Sequence, residues 1–452
     1  MEEVADLRGF IADFRRKSFL KRNVCTYGLF LAVVLVAALS GIILSQGIQM
    51  NSDGWAFWSG SVSLMEGAGY VHFYRDAAIL EWPPLYSLYL ASWQLLFGVS
   101  GQTLIYSTIF LAALATGLWG WFFLRVINLF SLPGRRRLFV YSAVLLYLAL
   151  FIPYYYKSLL IDNLRFALLP VYLYYLLDLL REDRTKYRRG VWGLTLMGVL
   201  LVSIHNANLA FVFAAGVMLP FILRPRAVAV KATLAVVGIP FAAWFALRLW
   251  LSLQASHAFN FTVRFDFLWL LVMKTVEDTA MLLYGPVQIQ GYLLIPAVLF
   301  AVWVIMRFRK LERSDGRSIE RHPLMMIIIY VGVALLLNML LCHFVQISVR
   351  SRFIWFLPLL VVPFLLILSA RINVRVLFPS AIVVFLLPAL LKYLLLVFVV
   401  FAHWGSTPQP VEIFVRPEMY IQRGYTEGEP KVTSKGTLVA PPLYEWIKDR
   451  VE

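Results

Sequence analysis

Eleven apolar runs, most of them near the length a helix needs to cross a bilayer, divide this chain. They fall at 24–46, 102–126, 137–154, 164–180, 190–204, 208–223, 229–252, 291–307, 324–343, 353–370 and 376–402. A crossing takes about 20 predominantly apolar residues, and inside the hydrocarbon only a helix or a closed barrel satisfies its own amides. Runs this long therefore predict an all-α polytopic membrane protein with about eleven transmembrane helices. Composition agrees, with 61% hydrophobic residues, 15% charged and a mean hydropathy of +0.76, well outside the range of soluble domains. The runs at 190–204 and 208–223 are short. Pro84 to Gly98 is apolar but shorter still, and reads as a helix lying in the outer interface.

The charges follow the crossings. Net charge is +16, which in a soluble chain would raise nucleic acid as a partner. Here Arg15, Arg16, Lys17, Lys21 and Arg22 precede the first run, and Arg135, Arg136 and Arg137 come two crossings later. Arg181, Arg184, Lys186, Arg188 and Arg189 follow, then Arg224, Arg226 and Lys231, then the cluster from Arg307 to Arg321, then Arg371 and Arg375. Every alternate joint is basic, and short basic loops stay on the cytoplasmic side. This places the N-terminus inside and, with an odd number of crossings, the C-terminus outside. The excess charge is a topology signal, and no nucleic acid is needed to explain it. Residues 1–23 read as a cytoplasmic amphipathic segment, 24–403 as the membrane domain and 404–452 as a small outer-face tail. In the tail, GSTPQP reads as a linker, VEIFV as a strand and APPLYEWIKDR as a helix. Cys25 and Cys342 both lie in apolar runs at no metal-ligand spacing and read as packing residues.

With this topology the polar chemistry collects outside. The outer segments are the first loop 47–101, the turn near 153–163, the turn at His205, the loop 253–290, the turn 343–352 and the tail. In the first loop Asp53, Arg75, Asp76 and Glu81 stand among aromatic residues suited to a membrane interface. Asp53, just past the first run, is where burial can raise a carboxylate toward the range of a general base; it is equally placed to cap the short helix WAFWSGSVSLME. Asp162 has the same two readings at the start of the fourth run. His205-Asn206-Ala207-Asn208 is a polar turn at a depth where polar groups must pair or line a cavity; it reads as part of a donor pocket or as a self-capped turn. The loop 253–290 reads as a surface helix or a substrate lid, and Lys392 as a snorkelling lysine.

Three short motifs in a fixed order carry a resemblance. The first is Asp53 with Gly67-Ala-Gly-Tyr70, Trp82-Pro83-Pro84-Leu85-Tyr86 and Leu96-Phe97-Gly98; the second is Tyr156-Lys157-Ser158-Leu159-Leu160-Ile161-Asp162; the third is Val349-Arg350-Ser351-Arg352-Phe353. Together they resemble GT-C glycosyltransferases, in the branch of protein O-mannosyltransferases and aminoarabinose transferases. The resemblance implies a GT-C-like fold with interfacial helices in the first outer loop. It implies inverting transfer of a monosaccharide from a polyprenyl-phosphate donor to a glycan, lipid or protein acceptor outside a plasma membrane. Asp53 would be the catalytic base and Asp162 a second catalytic acid group that orients the acceptor or supports the base. The leaving phosphate calls for fixed cations, for which Arg350, Arg352 and Lys157 are the expected ligands; for the two arginines the alternative is snorkelling to headgroups. Glu81, His205 and Arg75 complete the expected substrate contacts.

Many members of the family carry an acidic pair where this chain has Asp53-Gly54. No metal ligand set is therefore assigned, although Asp53, Asp76, Glu81 and Asp162 could still converge on a divalent cation, which takes hard oxygen ligands. Two other classes compete. A non-enzymatic scaffold of envelope glycan assembly would keep the fold without the chemistry. A secondary transporter would show repeat symmetry and midplane charges, whereas this chain shows no repeat and, outside the tail, carries its acids mostly at the outer ends of its runs.

Overall fold

The computed structural model describes residues 24–44, 52–72, 77–79, 82–130, 132–156, 159–180, 187–223, 226–253, 299–308, 310, 323–344, 356–372, 377–391, 394, 431–432 and 438–439. A helix lies in each of the eleven apolar runs. In chain order the elements are α1 (Val24–Leu44), α2 (Ser52–Met65), β1 (Val71–His72), β2 (Ala77–Ala78), α3 (Leu85–Phe97), α4 (Gly101–Ile127), α5 (Gly134–Tyr155), α6 (Ile161–Leu180), α7 (Tyr187–Ile204) and α8 (Leu209–Ile222). They continue with α9 (Arg226–Leu251), α10 (Leu299–Phe308), α11 (Pro323–Phe344), α12 (Phe356–Arg371) and α13 (Phe378–Leu391), then β3 (Lys431–Val432) paired antiparallel with β4 (Leu438–Val439). Among the described residues five helices are long and apolar enough to cross a membrane: α1, α4, α5, α6 and α9. The chain is a helical, multi-pass membrane protein. VEIFV and APPLYEWIKDR in the tail lie outside the described residues.

Packing ranks the helices from centre to edge. The most apolar window of α6 is 83% buried inside the protein, against 28% for α1 and 17% for α9, so α6 is the axis and α1 and α9 turn most of their surface outward. The closest neighbours of α6 are α7 and α4; α8 packs on α11 and α5 on α12. Small residues set the α6–α7 distance. A Cβ built on Gly193 would meet the ring of Tyr175, and one built on Gly190 would stand 2.6 Å from a Leu179 methyl.

Prolines shape the rods. Pro170 lies inside α6 and has no N–H to give the carbonyl four residues back. That carbonyl belongs to Phe166, and it accepts the Trp119 indole N–H from α4 at 2.9 Å. The same difficulty has another solution in α9 and α13. Each contains a π-turn, Leu234–Gly238 and Ile382–Leu386, ending two residues before Pro240 and Pro388 respectively. A π-turn widens the helix where a proline ring would otherwise strike the i−4 carbonyl, here that of Val236 or Val384.

Most of the described basic residues sit at one set of helix termini, Arg165 and Arg248 being at the other. Arg135, Arg136 and Arg137 open α5, Arg188 and Arg189 open α7, Arg226 opens α9, Arg125 closes α4 and Arg371 closes α12. Arg136 Nη1 donates to the Ala370 carbonyl at 3.4 Å, which brings the start of α5 against the end of α12. At the opposite end lies the first loop. There Ser63 ties the turn after α2, its hydroxyl lying 2.9 Å and 3.0 Å from the carbonyls of Gly69 and Val71; Gly67 and Gly69 supply the positive φ that this turn needs. Ser100 caps α4 by accepting from Thr103 N at 3.2 Å.

Changing Gly193 to Ala forces the Tyr175 ring aside. We expect a loss of about 1–3 kcal/mol, typical of overpacking, seen as a lower Tm of the purified protein in detergent. Gly332→Ala in α11, where nothing lies within 4 Å of the added carbon, should leave the Tm unchanged or raise it.

Candidate functional site

The first turn of α6 carries two charges where the chain is otherwise apolar. Asp162 and Arg165 are both fully buried, and Arg165 Nη1 donates to Asp162 Oδ1 at 3.1 Å. The i, i+3 spacing puts the two side chains on one face of the helix, and the helix N-terminus favours the carboxylate. The Arg165 guanidinium carbon lies 5.0 Å from the Phe166 ring centroid and 5.4 Å from that of Phe211, so aromatic faces share in holding the cation. The backbone around it is pinned as well. Besides Trp119 on Phe166, the Tyr330 and Tyr172 hydroxyls donate to the Phe211 carbonyl at 3.0 Å and 3.4 Å. The Tyr156 hydroxyl donates to the Asn163 carbonyl at 2.9 Å.

The first loop is held by polar contacts rather than by apolar packing alone. Ser87 donates to the Phe57 carbonyl at 3.0 Å, Gln94 Nε2 donates to Ser61 Oγ at 2.6 Å, and the Tyr89 hydroxyl donates to the Ser107 carbonyl on α4 at 2.7 Å. Gly60 allows Tyr70 to lie directly on α2. On this frame Phe57 meets Trp82 and Tyr86 edge-on at 5.7 Å and 5.2 Å, and Tyr86 stacks on Tyr89 at 6.1 Å. Trp82 also reaches across to the α7–α8 turn, where its ring lies 5.2 Å from that of His205.

That turn has the self-capped form. His205 Nδ1 accepts from Ala207 N at 2.9 Å, Asn208 Nδ2 donates to the Leu201 carbonyl at 2.6 Å, and Trp244 Nε1 on α9 donates to Asn206 Oδ1 at 3.0 Å. With Nδ1 an acceptor, a neutral His205 carries its proton on Nε2. The self-capped reading of this turn is what the structure shows, and the His205 imidazole is buried against Trp82.

The structure thus brings together first-loop residues, the Tyr156–Asp162 segment and the His205 turn at one end of the bundle. Asp53 falls in the first turn of α2, and its side chain is outside the described residues. Lys157, Arg75, Asp76, Glu81, Arg350 and Arg352 lie outside them altogether. Among the described residues no group of three or more His, Cys, Asp or Glu could hold a metal ion. Arg165 has no role in the sequence reading; its signal is the Asp-x-x-Arg spacing inside an apolar run. Tyr86 and Tyr156 were quoted as motif letters only. No family model, curated protein or solved structure matches this chain, so its function has to be read from these residues.

Burial pushes the phenols of Tyr70, Tyr86, Tyr89 and Tyr156 above their ordinary value of 10.0, and the charge of Asp162 adds to the rise at Tyr86 and Tyr156. The folded protein holds these protons at a pH where the unfolded chain releases them. Their stabilisation is complete below pH 10 and declines as pH rises beyond it. An alkaline titration followed at the tyrosinate absorbance should show these phenols ionising only together with unfolding.

Removing one member of a buried pair strands the other, at a cost of about 3–5 kcal/mol. We expect Arg165→Met and Asp162→Leu each to lower stability by that order, and the double variant to cost clearly less than their sum. Unfolding of the four proteins in one detergent measures the coupling; additive losses would show that the two charges are held by other groups.

Proposed function

We propose that this chain is a GT-C-type membrane glycosyltransferase that moves a monosaccharide from a polyprenyl-phosphate carrier to a glycan or lipid acceptor on the outer face of a plasma membrane. One observation carries the reading. Trp82 of the first motif, which lies against His205, and the Tyr156–Asp162 end of the second, which carries a buried ion pair, belong to one end of the bundle, opposite the contact between Arg136 and the end of α12. Buried charge within a membrane domain marks function by default, because hydrocarbon gives it no other support. The same arrangement favours eleven crossings with the N-terminus inside and the C-terminus outside, since basic termini belong to the cytoplasmic side.

In this reading Asp53 accepts the proton of the acceptor hydroxyl as its oxygen attacks the anomeric carbon. The bond from that carbon to the phosphate oxygen breaks with inversion, and the electron pair leaves on the polyprenyl phosphate. Arg350, Arg352 and Lys157 neutralise the charge that develops there. Asp162, fixed by Arg165, orients the acceptor or supports the base. A divalent cation on the outer carboxylates would serve the same phosphate.

Purified wild type and Asp53→Asn, matched for thermal stability, can be assayed for transfer of labelled sugar from synthetic polyprenyl-phosphate sugars to membrane extract. We expect wild-type transfer from at least one donor and a fall of about 10²–10⁴-fold in the variant, the span of general-base catalysis. Wild type that neither transfers nor binds any donor would instead place the chain among envelope scaffolds or transporters.

A further inference from the structure

At the basic end of the bundle two arginines lie over one pair of aromatic rings. Trp121 on α4 and Tyr174 on α6 are in ring contact, with 4.5 Å between centroids. The Arg125 guanidinium carbon stands 5.8 Å from the Trp121 centroid, and that of Arg189, from the start of α7, stands 5.9 Å from the Tyr174 centroid. Three helices thus bring two cations to one aromatic platform. Both arginines are exposed, and neither forms an ion pair with a carboxylate of the described residues. Asp178, one turn beyond Tyr174 on α6, is buried and pairs with neither.

Topology explains why basic residues gather at this end, but not where these two charges are held. An arginine at a helix end with nothing to bind extends its head toward water. Arg189 does the opposite. Its neighbour Gly190 faces Leu179, beside the last residue of α6. Its guanidinium instead reaches back to Tyr174, six residues before that end, or about 9 Å along the axis at 1.5 Å per residue. Side chains lean toward the N-terminus of their helix, which for α7 is the basic end, so this reach runs against the natural lean. Arg125 is likewise turned back by one helical turn, onto Trp121. Ring faces attract these cations without neutralising them, and each keeps its full charge for a further partner.

The chemistry around the platform selects that partner. Exposed guanidinium forks match phosphate oxygens, and tryptophan and tyrosine suit the headgroup level of a bilayer. Trp192 and Leu196, both exposed, continue the stripe of α7 that carries Arg189 further into the bundle. An apolar strip below a pair of cations fits an acyl chain below its headgroup, and free phosphate has no use for it. A zwitterionic headgroup would bring a third cation up to the two already there.

We propose that Arg125 and Arg189, on the Trp121–Tyr174 platform, bind the headgroup phosphate of an anionic phospholipid in the leaflet at the basic end, with an acyl chain along Trp192 and Leu196. Which leaflet this is follows from the topology proposed above. The site itself owes nothing to the transferase reading.

The test uses the purified full chain in an uncharged detergent, titrated with phosphatidylglycerol or phosphatidylcholine, with bound lipid counted by native mass spectrometry. Wild type is compared with Arg125→Gln, Arg189→Gln and a control at the same end, Arg135→Gln, which removes an exposed charge that is not part of the platform. The readout is the ratio of the two lipids' Kd within each protein, which a general loss of stability does not move. We expect wild type to prefer phosphatidylglycerol by roughly tenfold or more, and Arg125→Gln and Arg189→Gln each to lose about fivefold of that preference, the worth of one cation near a lipid surface. Arg135→Gln should keep it. Equal losses in all three variants would reduce the site to a general basic surface and overturn it. A wild type without headgroup preference, or a loss in only one of the two platform variants, overturns it as well. Displacement of phosphatidylglycerol by inorganic phosphate at matched concentration would make free phosphate the occupant and overturn the lipid site.

Discussion

Helix α6 is enclosed on nearly every side and yet carries Asp162, Arg165 and Asp178. Every neighbour has to answer for that combination, because a charge or carbonyl deprived of a partner in apolar surroundings costs more than most packing contacts return. The Asp162–Arg165 pair answers within the helix itself. Trp119 answers for the carbonyl that Pro170 leaves bare, and this fixes α4 against α6 at one level. Phe211 brings its ring to Arg165 and its carbonyl to two tyrosines, and so ties α8 and α11 to the same point. The arrangement of the central helices is thus governed by where the polar groups of one helix find partners.

The first loop inherits its position from this centre. Its helices α2 and α3 are joined by side-chain bonds through Ser87 and Gln94, anchored to α4 through Tyr89, and brought against the α7–α8 turn by Trp82. A loop tied at this many points presents its aromatic residues on a fixed frame, which is what a site requires if geometry is to select its ligand. The small cluster of Tyr70, Ile79 and Leu251 extends the frame to the end of α9.

The helices were legible in the sequence because bilayer thickness sets one length scale for all of them, and a run of the right length shows without knowledge of its neighbours. Expected runs and observed helices agree closely, as at 102–126 against Gly101–Ile127 and 164–180 against Ile161–Leu180. The site was legible by segment and less so by residue. The first loop, the turn near 153–163 and the His205 turn were each expected on one side, and of these Trp82 of the first loop lies against His205. The partner of Asp162 was not foreseen. Arg165 stands out only through its burial near two phenylalanine rings, which the sequence does not display. The π-turns before Pro240 and Pro388 were equally hidden, since a proline in an apolar run can kink, end or widen a helix, and the packing around it chooses.

Stability alone gives no reason for this design. Replacing a buried ion pair by apolar side chains of similar volume is often neutral or stabilising, and a phenylalanine at position 86 would spare a buried hydroxyl its missing bond. A chain shaped only by packing would move toward those residues. At the basic end of the bundle most charges sit at helix termini where interface and water can solvate them, Asp178 being the buried exception among the described residues; at the other end Asp162 and Arg165 are kept inside. Polar groups held at a cost to folding are explained most simply by something they act on.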